Sequence, residues 1–287
     1  MQRWLQQQVR DKVVERVTQG AQPKPADASG PYLGGHADVG LVFALPIESG
    51  FLEDRLASKL TTRGRGFDVR TGMLADRSVA IVHSGVGAAG AGRATELLLA
   101  GHQPAWVISA GLAGGLRPEL RRGHIVMADA IQALDGRRLT LDLKISEQEL
   151  AGRPGLHVGP LLTVDRVIVS SREKRELGER HGCLAADMES WAVAEVCRLA
   201  KVRFLAVRVI SDAMDEDLPP EVGSLTRQKT AVGKLGAVTG ALWRRPGSAK
   251  DLWHLHAQAS SAAGRLAKFL TGIISQLPAG EAGMQTP

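Results

Sequence analysis

Ser78-Val-Ala-Ile-Val-His-Ser-Gly-Val-Gly-Ala-Ala-Gly90 opens on an apolar, β-branched run, turns on glycines and continues into the Ala/Leu-rich stretch Ala88–Ala100. Strand, tight turn and helix in that order is the repeating unit of parallel sheets. The same alternation extends to both sides. Upstream, Val39-Gly-Leu-Val-Phe-Ala-Leu45 is a strand and Glu48–Lys59 a helix; downstream, strands are expected at Trp106–Ser109, His124–Met127, Leu161–Val164 and Phe204–Ile210, with helices at Arg172–His181 and Met188–Ala200. Strands of unbroken apolar residues are buried on both faces, so the sequence predicts an α/β domain with a mostly parallel sheet covered by helices.

Ser84-Gly-Val-Gly-Ala-Ala-Gly90 spells G-x-G-x-x-G at a helix start, the dinucleotide fingerprint. That fold also needs an acid at the end of the next strand to hold the ribose. Here the next strand runs into Ser109-Ala-Gly-Leu-Ala-Gly-Gly115, which carries none. A nicotinamide-dependent oxidoreductase is therefore disfavoured, and two glycine-rich turns are left where backbone can approach a ligand closely. Three acids follow or flank the strands: Glu48 after Val39–Leu45, Glu189 in Ala186-Asp-Met-Glu-Ser190, and Asp212 ending Val209-Ile-Ser-Asp212. Ligands in such sheets bind beyond the carboxyl ends of strands. An acid there is solvated, paired or functional, and three at one sheet edge make a site.

The chain has 287 residues, 44% hydrophobic and 23% charged, as globular domains do. Its longest apolar stretches fall short of the about 20 residues a transmembrane helix needs, and the N-terminus lacks the apolar core of a secretory signal, so the expected location is cytoplasmic. Cys183 and Cys197, spaced without a CxxC, read as buried free thiols. The net charge is +6, and residues 226–270 alone carry eight basic side chains against Asp251. No nucleic-acid motif accompanies this basic stretch, so no nucleic-acid partner is expected. Three regions are expected: an amphipathic helix and a Gly/Pro-rich linker over 1–37, the main domain over 38–225, and a basic helical extension over 226–287. In the last, Ser248-Ala-Lys-Asp251 resembles a capping box that opens a helix, with Leu255, Ala259, Ala262, Leu266, Phe269, Ile273 and Leu277 in one stripe. Such a stripe packs on the core or lies on a membrane.

Ala44-Leu-Pro-Ile-Glu-Ser49, His83-Ser-Gly-Val-Gly87, Gly111-Leu-Ala-Gly-Gly115, Asp187-Met-Glu189 and Ile210-Ser-Asp212, in this order and at these spacings, resemble the purine nucleoside phosphorylase superfamily. The similarity is greatest to its 5′-methylthioadenosine/S-adenosylhomocysteine nucleosidases and spans about residues 38–217. It implies a three-layer α/β/α fold around a mixed, mostly parallel sheet. The implied activity is cleavage of a purine nucleoside's N-glycosidic bond without metal or cofactor. Asp212 would protonate N7 of the departing purine, which requires an acid that keeps its proton at neutral pH, as burial favours. Glu189 would hold the ribose hydroxyls with Met188 against the sugar, and Glu48 would activate water. Ser84, Gly85, Gly87, Ala113, Gly114 and Ser211 would line the substrate, and Val167 would stand where that branch has an aromatic residue against adenine. Water is favoured over phosphate because an ionised Glu48 repels phosphate; Arg63, Arg65 and Arg93 keep phosphorolysis open, with inorganic phosphate as co-substrate. The tail, with Leu218-Pro-Pro and Trp243-Arg-Arg-Pro-Gly247, resembles hopanoid-associated phosphorylases and implies peripheral membrane contact. A homodimer is the assembly the resemblance implies. The rival from another class, a nucleoside-binding protein without catalysis, is weakened by the presence of all three acids.

Overall fold

The computed structural model describes residues 35–63, 67–143, 152–219 and 248–278, with side chains described from 257 onward in the last stretch. The expected helix over 1–19, the linker up to residue 34, Arg65, the Trp243–Gly247 segment and the side chain of Leu255 lie outside the described residues.

Among the described residues, ten strands and five helices follow one another as β1 (Val39–Phe43), α1 (Pro46–Glu53), β2 (Ala57–Arg63), β3 (Asp68–Leu74), β4 (Arg77–His83), α2 (Ala88–His102), β5 (Trp106–Gly115), β6 (Ile125–Ala133), β7 (Arg138–Thr140), β8 (Leu156–Thr163), α3 (Ser171–His181), β9 (Ala185–Asp187), α4 (Ser190–Ala200), β10 (Arg203–Asp212) and α5 (Ser248–Gln276). All the strands join one mixed sheet of order β10-β6-β8-β9-β5-β1-β4-β3-β2, with β7 on β6 and an additional pairing of β10 with β5. That last pairing closes β5, β10, β6, β8 and β9 into a ring. Parallel ladders run through the centre, at β1–β4, β1–β5, β5–β10, β6–β8 and β8–β9. Antiparallel pairs occur at β2–β3, β3–β4, β6–β7, β6–β10 and β5–β9, so parallel pairing is less dominant than expected.

Successive residues of β1 explain the layers. Val39, Leu41 and Phe43 point to one face, where they meet Leu52 of α1 and Leu266, Leu270 and Ile274 of α5. Val42 points to the other and meets Ala91, Ala94 and Leu98 of α2 and Val193 and Cys197 of α4. A period of two fixes both faces at once, and every residue of β1 is buried. A third cluster fills the ring between Ala113, Val126, Ile131, Leu161 and Ile210, and both cysteines are buried and free.

Three expectations need correction. The helix from Glu48 stops at Glu53, and Lys59 lies in β2, where Ala57–Arg63 pairs with β3 as an exposed hairpin whose Thr61 and Thr62 favour strand. The second glycine-rich turn does not exist: Gly111–Gly115 continues β5, because its glycines are spaces for neighbouring side chains rather than bends. The boundary at 225/226 divides the sequence but not the packing, since α5 forms a layer of the core together with α1. Among the described residues no helix is long and apolar enough to cross a membrane.

The buried line of α5 runs through Ala263, Leu266, Ala267, Leu270 and Ile274, while Phe269 and Ile273 of the expected stripe are half-buried at its edge. Its end is tied down by Arg77 Nη2, which donates to Leu277 O at 2.8 Å. Leu270→Ala should therefore lower unfolding free energy by about 2–5 kcal/mol in urea denaturation, the range of a buried leucine rather than of a surface helix.

Candidate active site

The site is organised by a change of neighbour along β5. Over Trp106–Ser109 the strand pairs with β1; at Gly114–Gly115 the neighbour on that side is β9, while β10 follows the opposite side throughout. In the gap, Leu112 N–H donates at 2.9 Å to Glu48 Oε1. Glu48 sits in the first turn of α1 and also reaches back to accept Leu45 N–H on Oε2 at 2.8 Å, one half of a capping box. A Cβ at Gly111 would stand 2.7 Å from Glu48 Oε1, so only glycine admits the carboxylate there.

Asp212 enters from the other edge of β5. Between Ile210 and Asp212 the β10 ladder shifts by one residue, leaving Ser211 as a bulge, and Asp212 falls opposite Gly114. A Cβ on Gly114 would come within 3.1 Å of Asp212 Oδ2. Ser211 Oγ lies 2.5 Å from Asp212 Oδ1 and 3.2 Å from Ala113 O, and its single proton best serves the carboxylate. Lys174 Nζ of α3 forms an ion pair with Asp212 Oδ2 at 2.5 Å. Asp212 is buried, and it is buried together with an ammonium.

Glu189 is the N-cap residue of α4 and accepts Gly87 N–H at 2.7 Å, at the positive N-terminal end of α2. Its orientation is fixed by Asp187, whose Oδ2 takes Ser190 N–H at 3.0 Å and Arg208 Nε and Nη2 at 2.9 and 2.6 Å, while Thr163 Oγ1 donates to Oδ1 at 2.8 Å. Burial pushes Glu189 up to about 8; the nearby Asp187 charge adds to this, and Gly87 N–H and Arg208 oppose it. Glu48 also rises because of burial, offset in part by its two backbone donors.

The remaining expected residues fall around these three. Ser84 is buried and donates its hydroxyl to Gly85 O at 2.7 Å; Gly85 and Gly87 form the β4–α2 turn, and Ala113 and Gly114 lie in β5 itself. Met188 is half-buried between Asp187 and Glu189, against the cluster of Leu162, Ile168 and Ala186. Val167 is half-buried in the β8–α3 loop, and two residues further on Val169 O accepts Leu218 N–H at 2.9 Å. Arg63 on β2 and Arg93 on α2 are exposed.

Three groups of site residues escaped the sequence: Lys174, Arg208, and a cluster of Ser49, Glu53, Arg70 and His83. Arg70 Nη1 can only donate, so His83 Nδ1 accepts at 2.9 Å and the ring proton is assigned to Nε2. Nε2 faces Ser49 Oγ at 2.7 Å and Glu53 Oε1 at 3.1 Å, and Ser49 donates to Glu53 at 2.6 Å. His83 is a donor to Ser49 and not its base, which excludes a nucleophilic triad. Burial of Glu53 disfavours its charge, but bonds from His83 and Ser49 and the Arg70 charge outweigh this and hold it ionised. The sequence signal for Lys174 is its helical face, shared with Leu177 and Gly178 in an otherwise charged helix. Among the described residues no group of three or more His, Cys, Asp or Glu is placed to hold a metal ion.

Known proteins share this fold. A 5′-methylthioadenosine/S-adenosylhomocysteine nucleosidase of Tolumonas auensis is 27% identical over 203 residues, covering 63% of this chain and 88% of that protein. The crystal structure of the enzyme of that name from Neisseria meningitidis, in complex with methylthio-immucillin-A, superposes with a TM-score of 0.65 at 20% identity, covering 85% of this chain and all of the other. Futalosine hydrolase of Helicobacter pylori superposes at 0.63 with 18% identity, covering 83% and 97%. At these identities the superpositions establish the fold. The sequence of residues 38–241, which holds all three carboxylates and the strands that place them, matches the phosphorylase superfamily, and the chain belongs to that family.

Proposed function

We propose that the chain hydrolyses the N-glycosidic bond of a 5′-substituted adenosine and releases adenine. The observation that carries this is the set of three buried carboxylates beyond the parallel strands: Glu48 on Leu112 N–H and Asp212 opposite Gly114 of β5, and Glu189 on Gly87 N–H after β4. The nucleosidases to which the chain is similar make an adenine nucleoside the substrate class of choice.

Breaking the bond leaves positive charge on the sugar and negative charge on the purine, so the two halves need groups of opposite character. Glu189, kept neutral by burial in the ligand-free chain, gives up its proton as the cationic sugar forms and then accepts the ribose hydroxyls. Asp212 delivers a proton to the purine ring nitrogen. Glu48 spends one acceptor position of each oxygen on a backbone N–H, which leaves lone pairs to orient and deprotonate a water. A base whose proton affinity is raised by burial takes that proton more readily at neutral pH. Water rather than phosphate is the nucleophile because Glu48 and Glu53 put negative charge on this side and the Arg70 guanidinium is already engaged by Glu53 and His83.

Adenine release should occur from methylthioadenosine or S-adenosylhomocysteine at the same rate with and without phosphate; release that requires phosphate makes the chain a phosphorylase. Asp212→Asn should lower kcat at least a hundredfold, the usual scale for a positioned acid. Burial pushes Glu189 up to about 8 from its ordinary 4.5, so its neutral form contributes stability that is full below 4.5 and is lost progressively as pH rises to 8. The ligand-free chain should melt at a lower temperature at pH 9 than at pH 6, and Glu189→Gln should flatten that dependence in a thermal scan.

A further inference from the structure

Lys174 has no exposed surface, and its ammonium meets three oxygens: Ala213 O at 3.0 Å, Glu216 O at 2.7 Å and Asp212 Oδ2 at 2.5 Å. The contact with α3 that brings it there is unusually close. A Cβ on Gly178, one turn further along α3, would lie 2.3 Å from Leu116 O at the end of β5, so α3 lies against that strand end only because residue 178 is glycine. Two of the three oxygens are carbonyls, which only accept. The third belongs to a carboxyl group, which accepts when ionised and donates when protonated.

We infer that Lys174 is the store of the proton that the departing purine receives, and that Lys174 and Asp212 act as one proton-transfer unit in the cleavage proposed above. The geometry serves both protonation states. As ammonium, Lys174 donates to the two carbonyls and lies in ion-pair contact with Oδ2 of an ionised Asp212. As neutral amine, it keeps both carbonyl bonds with its two N–H groups, and its lone pair accepts the O–H of a protonated Asp212. Both carbonyl bonds are kept on passing between the two, and the O–H of a protonated Asp212 gives Oδ2, buried without a hydrogen-bond partner, a bond to the amine.

The step balances as follows. Lys174 Nζ gives a proton to Asp212 Oδ2, and Asp212 gives one to the purine nitrogen as the bond to C1′ breaks and its electron pair stays with the base. Asp212 ends as it began, and Lys174 is left as an amine that regains its proton from water after the products leave. Lys174 acts through Asp212 and touches no substrate atom, so it is a positioning residue. Its charged surroundings come from β10 and the following loop: Asp212, Glu216 and Asp217, with Glu216 itself paired to Arg122 of the β5–β6 connection.

The test compares wild type, Lys174→Met and Lys174→Arg on methylthioadenosine and on 4-nitrophenyl β-riboside, whose phenolate leaves without a proton. Both variants should lose at least a hundredfold in kcat on the nucleoside with little change in KM, and stay within about fivefold of wild type on the nitrophenyl riboside. Arg keeps the charge but does not give up its proton, so it is the informative variant and serves alone if the Met variant fails to fold. Equal losses on the two substrates overturn the inference in favour of a structural role, and full nucleoside activity in Lys174→Arg overturns it in favour of charge alone. A wild-type chain that cleaves neither substrate overturns the cleavage reaction itself, and the inference with it.

Discussion

The site depends on one unpaired stretch of backbone. A strand that exchanges one neighbour for another leaves donors facing a gap, and a buried N–H without a partner is costly. Here β5 leaves β1 after Ser109 and joins β9 at Gly114, and the Glu48 carboxylate answers Leu112 N–H between them. The constraint then propagates. Residue 111 must be glycine to admit the carboxylate, α1 must start where Glu48 reaches both Leu45 and Leu112, and the opening holds a negative group deep in the domain. A gap that the fold has to fill with a polar side chain is also the place where a polar ligand can enter.

Charge is the second consequence. Glu48, Asp187, Glu189 and Asp212 are all buried, and the buried cations among the described residues are Arg208 and Lys174. Each cation is committed to one carboxylate: Arg208 to Asp187 through two hydrogen bonds, with a third to Ser109 Oγ at 2.7 Å, and Lys174 to Asp212. Glu48 and Glu189 are left without an ion-pair partner and keep protons more tightly than ordinary carboxylates. Buried carboxylates that no cation offsets give up their protons more readily when a cationic guest enters a site of low dielectric. A ribosyl group that loses its purine is such a guest at the moment the bond breaks. The buried pairs fix the geometry of the walls, and the unpaired carboxylates face the chemistry.

Much of this was legible in the residues. Acids placed directly after apolar strands identified Glu48, Glu189 and Asp212, and the alternation of strand and helix gave the layers. What escaped depends on neighbours far apart in sequence. Lys174 looks like one charge among many in Arg172-Glu-Lys-Arg-Glu-Leu-Gly-Glu-Arg-His181, and only the approach of α3 to β5 separates it from the solvated ones. Arg208 sits inside an apolar strand, where its pairing with Asp187 requires β10 and β9 to flank the same strand. Gly111–Gly115 reads as a turn in the sequence and is strand in the fold, because glycine signals both bends and close approaches, and the chain alone does not say which. The exposed hairpin of β2 and β3 has no buried apolar periodicity to reveal it.

The last helix connects the periphery to the acid. Arg122, in the β5–β6 connection, donates to Ser211 O at 2.8 Å, to both oxygens of Glu216 at 2.9 and 2.7 Å, and to Gln258 Oε1 of α5. Glu216 in turn accepts Ala213 N–H at 2.9 Å and presents its carbonyl to Lys174. The loop after Asp212 is thus held from outside by an arginine braced on α5 and from inside by the buried lysine. Because α5 is fixed by its own apolar face in the core, its position is set independently of the loop, and the loop inherits that rigidity. The sheet ends place the three carboxylates, and α5 keeps Asp212 within reach of its ammonium partner.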